Sequence, residues 1–326
     1  MTIKVGINGF GRIGRMVFRA IDKDFDNLEV VGINDLLDND YLAYMLRYDS
    51  VHGRFGKEVA VEGNNFVIDG KKIRLTAERN PSDLKWGDVG ADLVIDCTGF
   101  FLTEEGCQAH IDAGAKKVIQ SAPSKDTTPM FVYGVNHDSY DGQAIISAAS
   151  CTTNCLAPVA NVLHENFEIE KGFMTTIHAF TSDQRILDNS HKDPRRARSA
   201  SQSIVPTSTG ASKAIGEIIP SLKGKLEGVA MRVPTPNVSL IELVFCTKKE
   251  ITKEKINDVF KEASNNQSKK ILEITNEKLV SIDFNHNSAS AIIDSSLTSV
   301  VGKNMGKISA WYDNEWGFSN RMCDIA

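Results

Sequence analysis

The chain has little of what marks several classes of protein. It has six cysteines in 326 residues, too few for the disulfide framework of a small secreted domain. No run of apolar residues approaches the roughly 18 that are needed to cross a bilayer. The formal net charge is only −5, which gives no indication of a broad surface for nucleic acid. We therefore expect a protein that binds neither membranes nor nucleic acid.

Targeting and metal-binding signals are also missing. The opening MTIKVGINGF enters a strand pattern at once, without a basic segment followed by an apolar stretch, so we expect no signal peptide. The cysteines and histidines show none of the spacings that hold zinc, and we expect no metal site. With so few cysteines, a cytoplasmic and reducing compartment fits best.

The first half of the chain alternates short apolar strands with amphipathic helices. Residues 3–8 predict a buried strand, residues 12–22 a helix and residues 28–33 a second strand, which together make one βαβ unit. Further strands are predicted at residues 66–68, 72–75, 93–96, 117–120 and 144–147, and a helix at residues 104–114. This alternation is typical of an α/β fold with a doubly wound, Rossmann-type parallel sheet.

The pattern changes near residue 150, where we place a domain boundary. Longer strands at residues 172–179, 227–232 and 239–246 predict a mixed or antiparallel sheet with crossover helices, which makes the second domain α+β. We therefore expect one domain over residues 1–150 and another over residues 151–314. Within the second, residues 181–206 form a long polar stretch, and such loops are often functional.

A dinucleotide-binding motif follows the first strand. Gly9, Gly11 and Gly14 fit the pattern G-x-G-x-x-G, directly after a strand and at the start of a helix. Asp35 stands 21 positions after Gly14, at the end of the second strand. The glycines would let the backbone approach a pyrophosphate, and Asp35 would accept hydrogen bonds from ribose hydroxyls and disfavour a 2′-phosphate. The motif thus predicts NAD; the alternative is a glycine-rich turn with a surface aspartate.

A second motif, Ser-Cys-Thr-Thr-Asn-Cys at residues 150–155, follows a strand and opens an apolar helix. Ser150 is a predicted N-cap, which would put Cys151 in the first helical position, where the helix dipole favours a thiolate. Cys155, one turn further on, is expected to be packed. Judged from composition alone, Cys151 is more often a buried apolar residue than a nucleophile. A nucleophile would need a base, and His178, at the end of an apolar strand, is the best-placed histidine.

Several segments of the chain resemble one known family, glyceraldehyde-3-phosphate dehydrogenase. The resemblance extends from residue 3 to residue 324. Its motifs are GINGFGRIGR (6–15), SASCTTNCLAP (148–158), HKD-x-RRAR (191–198), PTSTGASKA (206–214), RVPTPNVS (232–239) and WYDNEWGFSNR (311–321).

The resemblance implies a reaction. Cys151 would attack the aldehyde of glyceraldehyde 3-phosphate to form a thiohemiacetal, with His178 as general base. Hydride would pass to NAD, and inorganic phosphate would release 1,3-bisphosphoglycerate from the resulting thioester, as in glycolysis and gluconeogenesis. Residues that would contact the substrate phosphate or the attacking phosphate are Ser150, Thr152, Thr181, Arg196, Thr209, Gly210 and Arg232.

The resemblance also extends the cofactor site and implies an assembly. The additional residues expected at the cofactor are Arg12, Ile13, Arg79, Ser121 and Asn314, the last contacting the carboxamide. Residues 181–206 resemble an S-shaped loop that lies against a neighbour's cofactor, which implies a homotetramer. The C-terminal segment 315–326 would join the NAD-binding domain.

Two departures from the family pattern, and two other functions, are kept open. Phe318 stands where many members have tyrosine, and Asn189-Ser190 replaces a Leu-Pro pair that is typical of strictly NAD-using members. A serine at this second position accompanies NADP use in photosynthetic relatives, which keeps NADP open as an alternative cofactor. The other functions are an erythrose-4-phosphate dehydrogenase, with water as the acceptor, and a non-catalytic NAD-binding or surface-interaction protein.

Overall fold

The computed structural model describes residues 2–266 and 271–326. The chain divides into two compact units. The first consists of Met1–Phe131, Ser139–Ala149 and Ser319–Ala326, and the second of Val132–Asp138 and Ser150–Phe318.

The first unit contains strands β1 to β10 and helices α1 to α3. The strands are β1 (Ile3–Asn8), β2 (Leu28–Asn34), β3 (Tyr48–Asp49), β4 (Gly53–Arg54), β5 (Ala60–Val61), β6 (Asn65–Ile68), β7 (Lys71–Thr76), β8 (Leu93–Asp96), β9 (Lys117–Gln120) and β10 (Ile145–Ser147). The helices are α1 (Arg12–Asp24), α2 (Asn39–Arg47) and α3 (Glu104–Asp112). Short 3₁₀ helices lie at Pro81–Asp83 and Trp86–Val89.

One twisted sheet organises this unit, in the order β10-β9-β8-β1-β2-β7-β6-β5. The strands from β10 to β7 run parallel, and most of their apolar side chains are buried, with Val5, Ile7 and Ile95 fully so. Strands β5 and β6 are antiparallel additions at one edge. The predicted Rossmann-type parallel sheet is confirmed, and so is the strand predicted at residues 66–68, but that strand pairs antiparallel with β7.

The second unit contains strands β11 to β18 and the remaining helices. The strands are β11 (Ile169–Ala179), β12 (Val205–Ser208), β13 (Leu226–Val233), β14 (Ser239–Thr247), β15 (Leu272–Thr275), β16 (Ala291–Asp294), β17 (Ser299–Val301) and β18 (Met305–Tyr312). The helices are α4 (Cys151–Phe167), α5 (Ala211–Ile218), α6 (Lys253–Asn265) and α7 (Trp316–Ile325), the last of which continues into the first unit. Short 3₁₀ helices lie at His137–Ser139, Pro220–Leu222 and Ser281–Phe284.

The sheet of the second unit is mixed, as predicted, in the order β12-β13-β11-β14-β18-β16-β15. Alternate residues of β14, namely Ile241, Leu243 and Phe245, are buried, and α4 packs against this part of the sheet. In β11 and β13 the alternation leaves Phe173 and Val229 exposed. The parallel pairing of β11 with β13 sets His178 opposite Arg232, and this register builds the site described next.

Candidate active site

The start of α4 holds the predicted nucleophile. Ala149 adopts a left-handed conformation, with φ of 57°, and Ser150 then caps the helix by accepting a hydrogen bond from the Thr153 N–H at 3.0 Å. Cys151 is therefore the first helical residue, as predicted. Backbone strain of this kind persists where the surrounding structure over-determines it, often at functional sites. The backbone N–H groups of Cys151 and Thr152, at this helix start, interact with the Cys151 sulfur.

His178 supplies the partner for the thiol. The Cys151 Sγ lies 3.5 Å from the His178 Nε2. His178 is buried at the end of β11, and the edge of its ring packs against the Tyr312 ring with centroids 5.9 Å apart. The pairing is within the range of a thiol–imidazole hydrogen bond, and it brings together two residues that are 27 positions apart in the chain.

Arg232 lies on the other side of the imidazole. Its Nη1 is 2.9 Å from the Ala179 carbonyl oxygen and 2.7 Å from the His178 Nδ1, and Nδ1 is 2.7 Å from the same carbonyl. Arginine has only donors, so Nδ1 either donates to the Ala179 oxygen or accepts from Arg232. The first arrangement leaves a lone pair on Nε2 facing the sulfur, and only that tautomer can take a proton from Cys151.

Burial determines the charge of the pair. Burial raises the pKa of the Cys151 thiol, and this outweighs the Arg232 charge and the hydrogen bonds from Thr152 and the helix start, which lower it. Burial, and then the Arg232 charge, lower the pKa of His178 to about 3. Burial therefore opposes the effect of the helix start, which was expected to favour a thiolate at Cys151. The pair is then a thiol beside a neutral imidazole, a donor facing a base.

A buried hydroxyl network lies beneath the pair. The Tyr312 hydroxyl is 2.9 Å from the Thr152 Oγ1 and 2.8 Å from the Thr176 Oγ1. Burial raises the pKa of Tyr312 well above its ordinary value, so this phenol remains a neutral hydrogen-bonding group. Sequence reasoning missed Tyr312 and Thr176. The available signal was that Tyr312 lies in the same WYDNEW segment as Asn314, and that Thr176 is two residues before His178 and so on the same face of the strand.

The other predicted phosphate contacts lie on loops and helix starts of the same unit. Arg196 is held by Asp183 and by the Thr207 hydroxyl, which is 3.0 Å from its Nε and 2.8 Å from its Nη2. Thr209 accepts a hydrogen bond from the Ala211 N–H at the beginning of α5. Among the described residues, no hydrogen bond joins Thr181, Thr209 or Gly210 to the thiol–imidazole pair.

The glycine-rich turn of the first unit fits a dinucleotide phosphate. Gly9 has φ of +88°, and a Cβ built on Gly14 would stand 2.0 Å from the Gly9 carbonyl oxygen. Gly11 has open space where a Cβ would stand and caps α1 without a side-chain hydrogen bond. The first turn of α1 carries no acidic residue. The backbone N–H groups of Arg12 and Ile13 are therefore suited to an anion.

Asp35 lies where the motif predicts it, just after β2. Its Oδ2 accepts a hydrogen bond from the Phe10 N–H at 2.7 Å, which ties the end of β2 to the glycine-rich turn. The Arg12 guanidinium is held by Asp49 at 2.7 Å. Arg79 is exposed just after β7, and Ser121 is half-buried just after β9, with its N–H bonded to the Asp96 oxygen. All four follow the carboxyl ends of sheet strands or the turn beside them, where open α/β sheets bind ligands.

Comparison with known proteins decides the family. Residues 3–104 match the model of the glyceraldehyde 3-phosphate dehydrogenase NAD binding domain, and residues 150–314 match the model of the C-terminal domain. Over 326 residues the chain is 58% identical to the glyceraldehyde-3-phosphate dehydrogenase of Bacteroides fragilis, covering 99% of this chain and 98% of the relative. It is 54% identical to glyceraldehyde-3-phosphate dehydrogenase A of Escherichia coli, and the match covers 100% of this chain and 98% of the relative. The chain belongs to the glyceraldehyde 3-phosphate dehydrogenase family.

Membership in the glyceraldehyde 3-phosphate dehydrogenase family confirms the resemblance and NAD as the cofactor. The structural fit is the turn at Gly9 and Gly14, where a side chain would collide with backbone. Within the part of the chain that the structure describes, no group of three or more histidine, cysteine or acidic residues could hold a metal ion. None of the helices in that part has the length and apolar character needed to span a bilayer.

Asn314, the predicted carboxamide contact, is held firmly in the second unit. Its Oδ1 accepts a hydrogen bond from the Ser239 hydroxyl at 2.8 Å. The preceding Asp313 caps the following turn, because its Oδ1 accepts from the N–H groups of Glu315 and Trp316 at 3.0 and 2.8 Å. Asn314 is 5% exposed. Sequence reasoning gave no role to Ser239.

Proposed function

We propose that the chain is an NAD-dependent, phosphorylating glyceraldehyde-3-phosphate dehydrogenase, which oxidises D-glyceraldehyde 3-phosphate to 1,3-bisphosphoglycerate. The observation that carries the proposal is the 3.5 Å contact between the Cys151 Sγ and the His178 Nε2. Cys151 is the first residue of α4. A thiol beside a neutral imidazole is suited to covalent catalysis on a carbonyl. The presence of Cys151 and His178 in contact also argues against a purely non-catalytic NAD-binding protein.

In the proposed chemistry His178 has its proton on Nδ1, bonded to the Ala179 oxygen. As the Cys151 sulfur adds to the aldehyde, its proton passes to Nε2, and the new oxyanion is held by the Cys151 backbone N–H and the protonated imidazole. NAD⁺, when bound, supplies the acceptor for the hydride that leaves the thiohemiacetal. The resulting thioester on Cys151 is then open to attack by phosphate.

The charges around the pair favour phosphate groups in both substrate and acceptor. Arg232 and Arg196 are held by neighbouring groups in fixed orientations, and an arginine fork matches phosphate oxygens. The starts of α4 and α5, with Ser150 and Thr152 on one and Thr209 and Gly210 on the other, add N–H and hydroxyl donors. Thr181 would complete the site for the substrate phosphate. Phosphate is therefore preferred over water as the acceptor.

The test is an assay of NADH formation with two aldehydes, each with and without inorganic phosphate. We expect a high rate with glyceraldehyde 3-phosphate and a turnover that depends on phosphate, because the thioester needs that nucleophile. With erythrose 4-phosphate we expect a slower reaction. A faster, phosphate-independent oxidation of erythrose 4-phosphate would instead establish the water-using alternative.

Asp35 should set the choice between the two nicotinamide cofactors. Its charge would repel the 2′-phosphate of NADP⁺, whereas Asp35→Asn keeps an oxygen that can accept from the Phe10 N–H. We expect this variant to raise the ratio of kcat/KM for NADP⁺ over NAD⁺ by about tenfold or more, the scale of one close charge pair near a protein surface.

Asp38→Asn is the matched control for Asp35→Asn. Asp38 caps α2 by accepting from the Asp40 and Tyr41 N–H groups, a role that asparagine also fills well. The cofactor ratio should stay at the wild-type value in this variant. An equal rise in both variants would show that general surface charge, and not Asp35, sets the ratio.

Assembly, location and domain roles are also part of the proposal. A homotetramer is supported by exposed apolar residues on the sheet of the second unit, Phe173 and Val229, and on the 181–206 stretch, Ile186 and Leu187. A cytoplasmic location is supported by six free cysteines. We assign residues 1–150 with 315–326 to NAD binding and residues 151–314 to catalysis.

A further inference from the structure

Ser239, the first residue of β14, occupies a buried junction between the catalytic strand and Asn314. It is 1% exposed. Its Oγ is 3.1 Å from the Ala179 nitrogen, next to His178, and 2.8 Å from the Asn314 Oδ1. One hydroxyl thus connects the end of β11 with the residue that is proposed to contact the cofactor carboxamide.

The direction of both hydrogen bonds is fixed by their partners. The Ala179 N–H can only donate, so the Ser239 oxygen must accept from it. On the other side the Asn314 Oδ1 lies 2.8 Å from the hydroxyl, and because an amide oxygen only accepts, Ser239 donates to it. With Oδ1 on the Ser239 side, the Nδ2 group of the same amide faces away from Ser239. Asn314 therefore offers donors to a ligand.

The chain around Ser239 and Asn314 holds both residues in place. Val238, directly before Ser239, has φ of 67°, a rare conformation for a β-branched residue. Its side chain is nevertheless buried in an apolar cluster with Phe284, Ala289 and Ile292. On the other side, Asp313 fixes the backbone around Asn314 through its cap. Strain that is maintained by packing often marks a functional position.

We propose that Ser239 is a positioning residue for cofactor recognition. Its hydroxyl holds the Asn314 amide in the orientation that donates from Nδ2 to the carbonyl oxygen of the nicotinamide carboxamide. The proposal rests on the proposed role of Asn314. It adds that the Ser239 hydroxyl, which accepts from the Ala179 N–H and donates to the Asn314 Oδ1, determines which end of the Asn314 amide meets the ligand, so a ligand must present an acceptor at this point.

The test compares binding of NAD⁺ with binding of ADP-ribose, which lacks the nicotinamide, to the full chain by titration calorimetry. Ser239→Ala should weaken NAD⁺ binding by about tenfold, the loss expected when a buried hydrogen-bonding group loses its partner. ADP-ribose binding should be unchanged in that variant. Ser239→Thr keeps the hydroxyl and should restore NAD⁺ affinity. On an Asn314→Ala background, Ser239→Ala should have no additional effect on NAD⁺.

The possible results separate this proposal from the one it rests on. If Asn314→Ala does not change NAD⁺ affinity, the role of Asn314 is wrong, and that of Ser239 with it. If Asn314→Ala weakens NAD⁺ binding but Ser239→Ala does not, only the role of Ser239 is overturned. A parallel loss of ADP-ribose binding in Ser239→Ala would show general damage to the fold and also overturn it. Should threonine not fit, the comparison of the two ligands in Ser239→Ala decides alone.

Discussion

Replacement of Cys151 by serine should abolish dehydrogenase activity and leave NAD⁺ binding intact. Serine has nearly the same shape, and it keeps the helix start and its N–H groups in place. Its hydroxyl is a far weaker nucleophile than a thiol with a base beside it. We expect kcat to fall by roughly four orders of magnitude or more, the scale seen when a covalent nucleophile is removed. The rate of NADH formation measures the dehydrogenase activity, and calorimetric titration with NAD⁺ measures cofactor binding.

Cys155 provides the matched control for Cys151→Ser. It lies one turn further along α4, is fully buried, and burial raises the pKa of its thiol well above the ordinary value. Cys155→Ala should keep most of the activity, because this thiol has no part in the proposed chemistry. Retention of substantial activity by Cys151→Ser, or an equal loss in both variants, would contradict the assignment of Cys151 as the nucleophile.

Sequence patterns predict the parts of this site that depend on neighbours in the chain. The N-cap at Ser150 and the helix start at Cys151 follow from residues within one turn, and the structure confirms both. The glycine-rich turn is equally local, since Gly9 and Gly14 face each other across five residues. Family, fold class and cofactor could be predicted for the same reason: each depends on short motifs with fixed spacing.

What the sequence could not supply is long-range register. The contact between Cys151 and His178 requires β11 to end beside the start of α4. The contact between His178 and Arg232, which are 54 positions apart in the chain, requires parallel pairing of β11 with β13. Both depend on how the sheet assembles. Burial also raises the pKa of the Cys151 thiol, and no local sequence pattern reports burial.

The antiparallel edge of the first sheet, by contrast, had a local signal that was missed. Strands β6 and β7 are joined by Asp69 and Gly70, which both have positive φ values, 50° and 76°. An Asp-Gly pair between two short strands is a strong indication of a two-residue hairpin. The alternation of strands and helices elsewhere in the unit made a uniformly parallel sheet the simpler reading.

Replacement of His178 by asparagine should slow the reaction and change its dependence on pH. Since the pKa of His178 is lowered to about 3, the wild-type imidazole is in its neutral, proton-accepting form throughout pH 5 to 8, and the fraction in that form does not change over this range. Asparagine cannot accept it, so kcat/KM at neutral pH should fall by about 10²- to 10⁴-fold. The His178→Asn variant must then rely on Cys151 thiolate that forms when the thiol loses its proton to water.

The pH profile distinguishes a lost base from a damaged site. Burial raises the pKa of the Cys151 thiol, so below that pKa the thiolate fraction grows tenfold for each pH unit. The rate of His178→Asn should rise with pH accordingly, whereas the wild-type rate should stay nearly flat. His164→Asn, at the far end of α4, should keep the wild-type profile. A flat profile in His178→Asn, or a fall of less than about tenfold, would show that His178 does not act as the base, and the thiol would then have to lose its proton to another group.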